Sequence, residues 1–277
     1  MVTSSKDRWI DMTHEMSNGA VIGGRYEHNV TFRGERGRNP SRYWYEDGEV
    51  YVAEHTGTHF AAPCHFARGK WRMEDIPPER LIQQAFVVDV SASVARDQSY
   101  EILPKDLIEW DKKNRRTIPP LSILLFHTGM GQHYFDKTRY MGTNNVSNRA
   151  AVKYPGIHVD TANWIVQNMN ISGVGIDSYS VEGVRTWRDE TYLTQRALAA
   201  DNIYYIENMV NLDKIHHYRS TLFVGPMKIK GGSGSPVRVL AFGRPPKSDA
   251  SASNLSILTT VCVLSFNALY QLFMRLA

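Results

Sequence analysis

The sequence predicts an α/β layered domain, and three observations predict it. Its 277 residues are 42% hydrophobic, 22% charged and 11% aromatic, which is globular composition. Strand-like runs fill the first 90 residues, and after them helical periods alternate with short apolar runs. A chain of this length buries a core without disulfide or metal staples. Its two cysteines, Cys64 and Cys262, cannot build a disulfide framework in any case. The formal net charge of +4 is thin over such a chain, and no run of five basic residues occurs. Nucleic acid is therefore excluded as the expected partner.

The elements follow in order. Arg8–Asp11 reads as a first strand. Tyr26–Arg33 and Tyr43–Val52 carry aromatic and β-branched residues, and Asp47-Gly48 inside the second run predicts a hairpin turn. Ala85–Val90 is short and apolar, suited to a buried strand. Pro104–Asn114 begins with proline at a helix start and keeps a helical period. Leu121–Phe126, Gly173–Asp177 and Ile203–Glu207 read as buried strands, and His158–Asn168 and Thr191–Ala200 as helices between them. Thr221–Lys228 and Val237–Phe242 close the body as strands. No internal repeat is visible.

The body is expected to span residues 1–246, followed by a linker at 247–256 and a tail at 257–277. Small residues around Pro245–Ser253 argue for flexibility there. The tail is mostly apolar, long enough for a bilayer, with Arg275 as its one charge. Asn267, Gln271 and Arg275 would form a polar stripe on one helical face. A membrane helix, a glycolipid-attachment signal and a docked amphipathic helix all stay open. Membrane attachment through 257–277 is the expectation. The N-terminus reads as no signal peptide, yet sequons occur at Asn29, Asn145, Asn170 and Asn254. A secreted or membrane-attached location is slightly favoured over a cytoplasmic one, and the compartment stays open.

One segment carries chemistry. Glu54–Phe66 holds three of the ten histidines, His55, His59 and His65. Neutral imidazole is the commonest protein ligand for zinc and related metals. Gly57 and Pro63 argue against a helix, and a tight turn at Gly57 would bring His55 and His59 together. Three solvent-exposed or hydrogen-bonding loop histidines would satisfy the same spacing. Cys64 beside His65 invites a nucleophile reading, but a small buried thiol is the simpler one. Phe60, Phe66 and Trp71 are candidates to frame a flat substrate, with ordinary core packing as the alternative.

This segment resembles the cyclase family of metal-dependent hydrolases, whose signature is His-X-Gly-Thr-His-X-Asp-X-Pro-X-His. That family includes bacterial-type kynurenine formamidase and isatin hydrolase. Asp11-Met12-Thr13-His14, Phe126-His127-Thr128-Gly129, Tyr154-Pro155-Gly156, Gly175-Ile176-Asp177, Ile206-Glu207-Asn208 and Gly232–Arg238 resemble further family segments in the same order. The resemblance implies a mixed β-sheet, barrel-like core flanked by helices, of the swivelling β/β/α type, and a homodimer or larger assembly. It implies metal ligation by His55, His59 and Glu207, and an acid/base role for His65. It also marks two departures. Ala61 stands where the family has an Asp ligand, and Gln195, twelve residues before Glu207, stands where it has a His. A bridging carboxylate is thereby lost, and an amide oxygen from Gln195 is a weak substitute for imidazole.

The implied activity is arylformamidase-like, of the kind used in tryptophan catabolism. A divalent metal, zinc or manganese, activates water against a small aromatic amide resembling N-formylkynurenine, with His65 moving the proton. His55, His59 and Glu207, with Gln195 as a fourth, leave a weakened one-metal site as the expected form. The alternative is a catalytically silent member that serves as a binding or membrane-attached surface protein.

Overall fold

A computed structural model describes residues 7–17 and 25–245. The expected linker and tail lie outside the described residues. The strands are β1 (Arg8–Asp11), β2 (Tyr26–Arg36), β3 (Tyr43–Val52), β4 (His59–Ala61), β5 (Ile82–Asp89), β6 (Glu101–Ile102), β7 (Ile123–His127), β8 (Gly156–Ile157), β9 (Gly173–Ile176), β10 (Tyr204–Glu207), β11 (Ser220–Pro226) and β12 (Gly234–Gly243). The helices are α1 (Ser91–Val94), α2 (Pro104–Asn114), α3 (Lys137–Met141), α4 (Val159–Asn168), α5 (Val184–Arg188) and α6 (Leu193–Ala200).

The main sheet runs β1-β12-β11-β5-β7-β9-β10-β4, and a second pairing of β4 with β12 closes it. Seven strands thus form a mixed barrel, with β1 added outside β12. Strands β5, β7, β9 and β10 are mutually parallel, while the remaining pairings are antiparallel.

The two-residue period of a strand sorts the core into two layers. Phe60, Ala85, Val87, Ile123, Leu125, Tyr204 and Ile206 point inward and fill the barrel. Their neighbours Ala61, Phe86, Val88, Leu124, Phe126 and Tyr205 point outward, where they meet Leu107 and Trp110 of α2, Ala162 and Ile165 of α4, and Leu198 of α6. Gly173 is required here, because a Cβ on it would lie 2.2 Å from the Tyr204 ring. Helix α2 begins at Pro104 as its sequence predicts, with Asp106 Oδ2 accepting from the Leu103 amide at 2.8 Å. Trp110 then fixes the helix to β5 by donating from its indole N–H to the Val87 carbonyl at 2.7 Å.

The expected turn at Asp47-Gly48 is not where the chain reverses. Strands β2 and β3 do pair, but the reversal lies between Arg36 and Tyr43, and Gly37 in it adopts φ +94°. Asp47 and Gly48 sit inside β3, opposite a bulge between Val30 and Phe32. The Asp-Gly pair absorbs an irregular register instead of making the turn. No helix among the described residues is long and apolar enough to cross a membrane.

Candidate functional site

The site is built where β4 crosses between β10 and β12. Register places His59 opposite Glu207, and Ala61 opposite Tyr205. His59 and Ala61 therefore share the outward, helix-facing side, two residues apart. Gly57, at φ +64°, makes the turn that turns its carbonyl onto His59 Nδ1 at 2.9 Å. A carbonyl only accepts, so Nδ1 carries the proton and Nε2 is left to face Glu207 Oε2 at 3.2 Å. The other Glu207 oxygen accepts from the Ser180 hydroxyl and the Val181 amide, each at 2.8 Å, and from Gln195 Nε2 at 3.4 Å.

His55 is held differently. Ser233 gives its hydroxyl proton to Glu54 Oε2, whose carboxylate also accepts from the Ser233 amide. The Ser233 oxygen, 3.1 Å from His55 Nε2, is then the acceptor of an imidazole N–H. Glu54, Ser233 and His55 thus form a relay that fixes the His55 tautomer. The His55 ring stacks on His65 with centroids 3.9 Å apart and meets His59 edge-on at 5.2 Å. Burial first, then the neighbouring His65 and His59, lowers the His55 pKa to about 3. Burial also lowers that of His65, against the pull of Glu207 and Glu54. His55 is a neutral donor at pH 7.

These groups border a cavity of about 710 Å³. His55, His59, His65, Gln195, Glu207 and Asn208 form its polar wall, with Ser180 beside them. Phe66, Tyr179, Trp187 and Tyr192 supply aromatic faces, and Lys137, Met141 and Val146 complete the lining. Phe66 packs on Tyr192 at 5.0 Å, and Tyr179 meets Trp187 edge-on at 5.8 Å.

The structure gathers His55, His59, His65, Phe66, Gln195 and Glu207 around one space. It does not bring Phe60 or Trp71 to it. Phe60 occupies an inward position on β4 and packs on Tyr204 inside the barrel. Trp71 packs against the same inner layer, under the Arg80 guanidinium. Strand alternation explains Phe60: the neighbour of an outward histidine must face inward. Cys64 is no nucleophile partner, since its thiol points to the Gly232 carbonyl and burial raises its pKa.

Sequence reasoning missed Lys137, Tyr179, Trp187 and Tyr192, and also Glu182. That carboxylate, 0% exposed, accepts from the Thr194 and Gln195 amides and so aims the first turn of α6. The usable signal was position. Ser178–Ser180 follow β9 directly, and the carboxyl ends of parallel strands are where α/β sheets carry sites.

Fold and site together define a closed mixed barrel with a histidine-lined pocket beside its last parallel strand. The chain belongs to the cyclase family, whose profile ("Putative cyclase") matches residues 10–183. It is similar to isatin hydrolase of Roseibium aggregatum, 25% identical over 200 residues, covering 69% of this chain and 73% of that protein. It is also similar to kynurenine formamidase of Salinibacter ruber, 28% identical over 238 residues, covering 85% and 98%. Among solved structures, an isatin hydrolase bound to the product analogue thioisatinate superposes with TM-score 0.75 at 20% identity, covering 86% and 93%. A structure described as a predicted metal-dependent hydrolase from Bacillus stearothermophilus gives TM-score 0.62 at 20% identity, covering 86% and 99%. These likenesses establish the barrel fold.

The residues present do not fit the metal centre that such relatives imply. Among the described residues, no three His, Cys, Asp or Glu side chains converge to hold a metal ion. The physical reasons are local. Ala61 offers no donor, and it lies fully buried in the helix-facing layer. Gln195 turns its amide N–H, a donor, toward Glu207. His55 gives its Nε2–H to Ser233, which leaves Nδ1 as its one free donor atom. Two imidazole nitrogens and the Glu207 carboxylate remain, and among the described residues they do not come together as a set of three that could hold a metal ion.

Proposed function

We propose that this protein is a cyclase-family member that binds a small, flat aromatic amide in the cavity and has given up efficient metal-dependent hydrolysis of it. The observation that supports this most is the contrast within one pocket. Aromatic walls from Phe66, Tyr179, Trp187 and Tyr192 persist beside His59 and Glu207, while Ala61 and Gln195 leave the donor set incomplete. Apolar walls with a few convergent polar groups are what small-molecule recognition needs. Relatives named isatin hydrolase and kynurenine formamidase suggest the ligand class.

The test pairs binding with turnover on the full chain. Isatin and N-formylkynurenine are titrated while Trp187 and the other tryptophans are followed by fluorescence. Each is then assayed for hydrolysis with added zinc or manganese. Saturable binding without turnover is expected. Metal-stimulated turnover at the rates of ordinary enzymes would overturn the proposal.

A second reading, slow hydrolysis without the family's metal, has one observation in its favour. His65 still shares the cavity wall with the His59–Glu207 pair, so a neutral base remains within reach of a bound amide. Metal-independent turnover abolished by His65→Ala would support it over pure binding.

A further inference from the structure

We propose that the cavity selects ligands bearing an anionic group, such as an aromatic amide that also carries a carboxylate, and that Lys137 selects them. The inference rests on the cavity being a ligand site and names the class of ligand it takes.

Lys137 opens helix α3, and Met141 lies one turn on. Both line the cavity, so the i, i+4 face of this helix is the face turned to it. The lysine is half-buried, and a long aliphatic stem lets such a residue line apolar surface while its ammonium stays hydrated. Among the described residues it has no ion-pair partner. The nearby acid Asp136 caps the Arg139 amide and pairs with the Arg139 side chain instead.

Other charges near the pocket are already committed. Arg149 holds Glu190 and lies over the Trp187 ring, and Arg188 donates to the Arg149 and Val152 carbonyls. One Glu207 oxygen accepts from Ser180, Val181 and Gln195. Lys137 is the cavity-lining cation left without a counter-charge. An ammonium on a partly dry, aromatic-walled space favours an anion with which it can form a charge-assisted hydrogen bond.

The experiment compares two ligands that differ by one carboxylate, N-formylanthranilate and formanilide, titrated by calorimetry into the full chain and into Lys137→Met. The unchanged chain is expected to bind N-formylanthranilate at least ~10-fold more tightly, as a hydrogen bond to a charged group would give. Lys137→Met, which keeps the stem, narrows that gap to within about twofold, and Lys137→Arg retains most of it. Raising salt narrows the gap in the unchanged chain and leaves Lys137→Met unmoved. A preference that survives Lys137→Met overturns the assignment. Equal binding of both ligands by the unchanged chain overturns anion selection but leaves the pocket standing. Binding of neither overturns both.

Discussion

Two clusters at the carboxyl ends of the barrel's parallel strands place histidines against carboxylates, and they are built to opposite purposes. At the carboxyl ends of β5, β7 and β9, one imidazole sits between two acids: His127 Nδ1 is 3.2 Å from Asp89, and Nε2 is 3.9 Å from Asp177. Asp177 also accepts from the Thr128 amide and hydroxyl and from the Gly129 amide, at 2.6, 2.7 and 3.0 Å. At β4 and β10, three imidazoles gather near one acid, and that acid faces a cavity. Charge follows the count. Burial lowers the His127 pKa, but the Asp89 hydrogen bond and the charges of Asp177 and Asp89 outweigh it, and the net shift is upward. His55, with imidazoles for neighbours, is driven down. The same residue types thus make a structural clamp where donors saturate every acid, and a ligand-facing wall where they do not.

The largest expected effect breaks the clamp. Asp177→Ala orphans two amides and a hydroxyl in a dry interior, and we expect it to cost about 3 kcal/mol in urea unfolding. A cost under about 1 kcal/mol would show that the clamp is not structural.

Next in size is a conversion of the open cluster toward the closed kind. Ala61→Asp with Gln195→His adds a carboxylate at a fully buried position, so the metal-free variant should lose about 2 kcal/mol. Zinc or manganese should restore that loss through binding to the folded state. Loss without recovery would mean that the two restored ligands are not aimed at His59 and Glu207.

Smaller still are the pH effects, which differ in sign between His127 and His14. His127, raised when folded, adds stability that is full below about pH 6.5 and fades as pH climbs through its folded value. His14, stacked on Tyr134 and lowered to about 4 chiefly by burial, acts the other way. Protons bind its unfolded form first, so stability drops as pH falls from about 6.5 toward 4. His127→Gln should flatten the alkaline limb of a stability profile, and His14→Gln the acid limb. Unchanged limbs would contradict the assigned directions.

Local signals were legible in the sequence, and closure was not. Helix α2 spans Pro104–Asn114 as its proline start and period predict, and β1 spans Arg8–Asp11 as read. The twelve-residue step from Gln195 to Glu207 was meaningful, since one turn of α6 and the end of β10 meet at 3.4 Å. Strand β4, by contrast, has three residues, too few for periodicity, yet it closes the barrel and carries His59. Three of the four aromatic walls, Tyr179, Trp187 and Tyr192, lie more than a hundred positions from the histidines, and only tertiary packing joins them. Phe60 looked like a wall residue because it is next to His59 in sequence, whereas a strand sends neighbours to opposite faces.

Under the proposed function, the histidine turn and Glu207 do not make the family's metal centre. Calorimetric titration of the metal-stripped full chain with zinc, and separately with manganese, tests it most directly. We predict no stoichiometric binding at micromolar metal. One or two ions bound tightly per chain, and lost in His55→Ala, would contradict the donor roles assigned to His55 and Gln195.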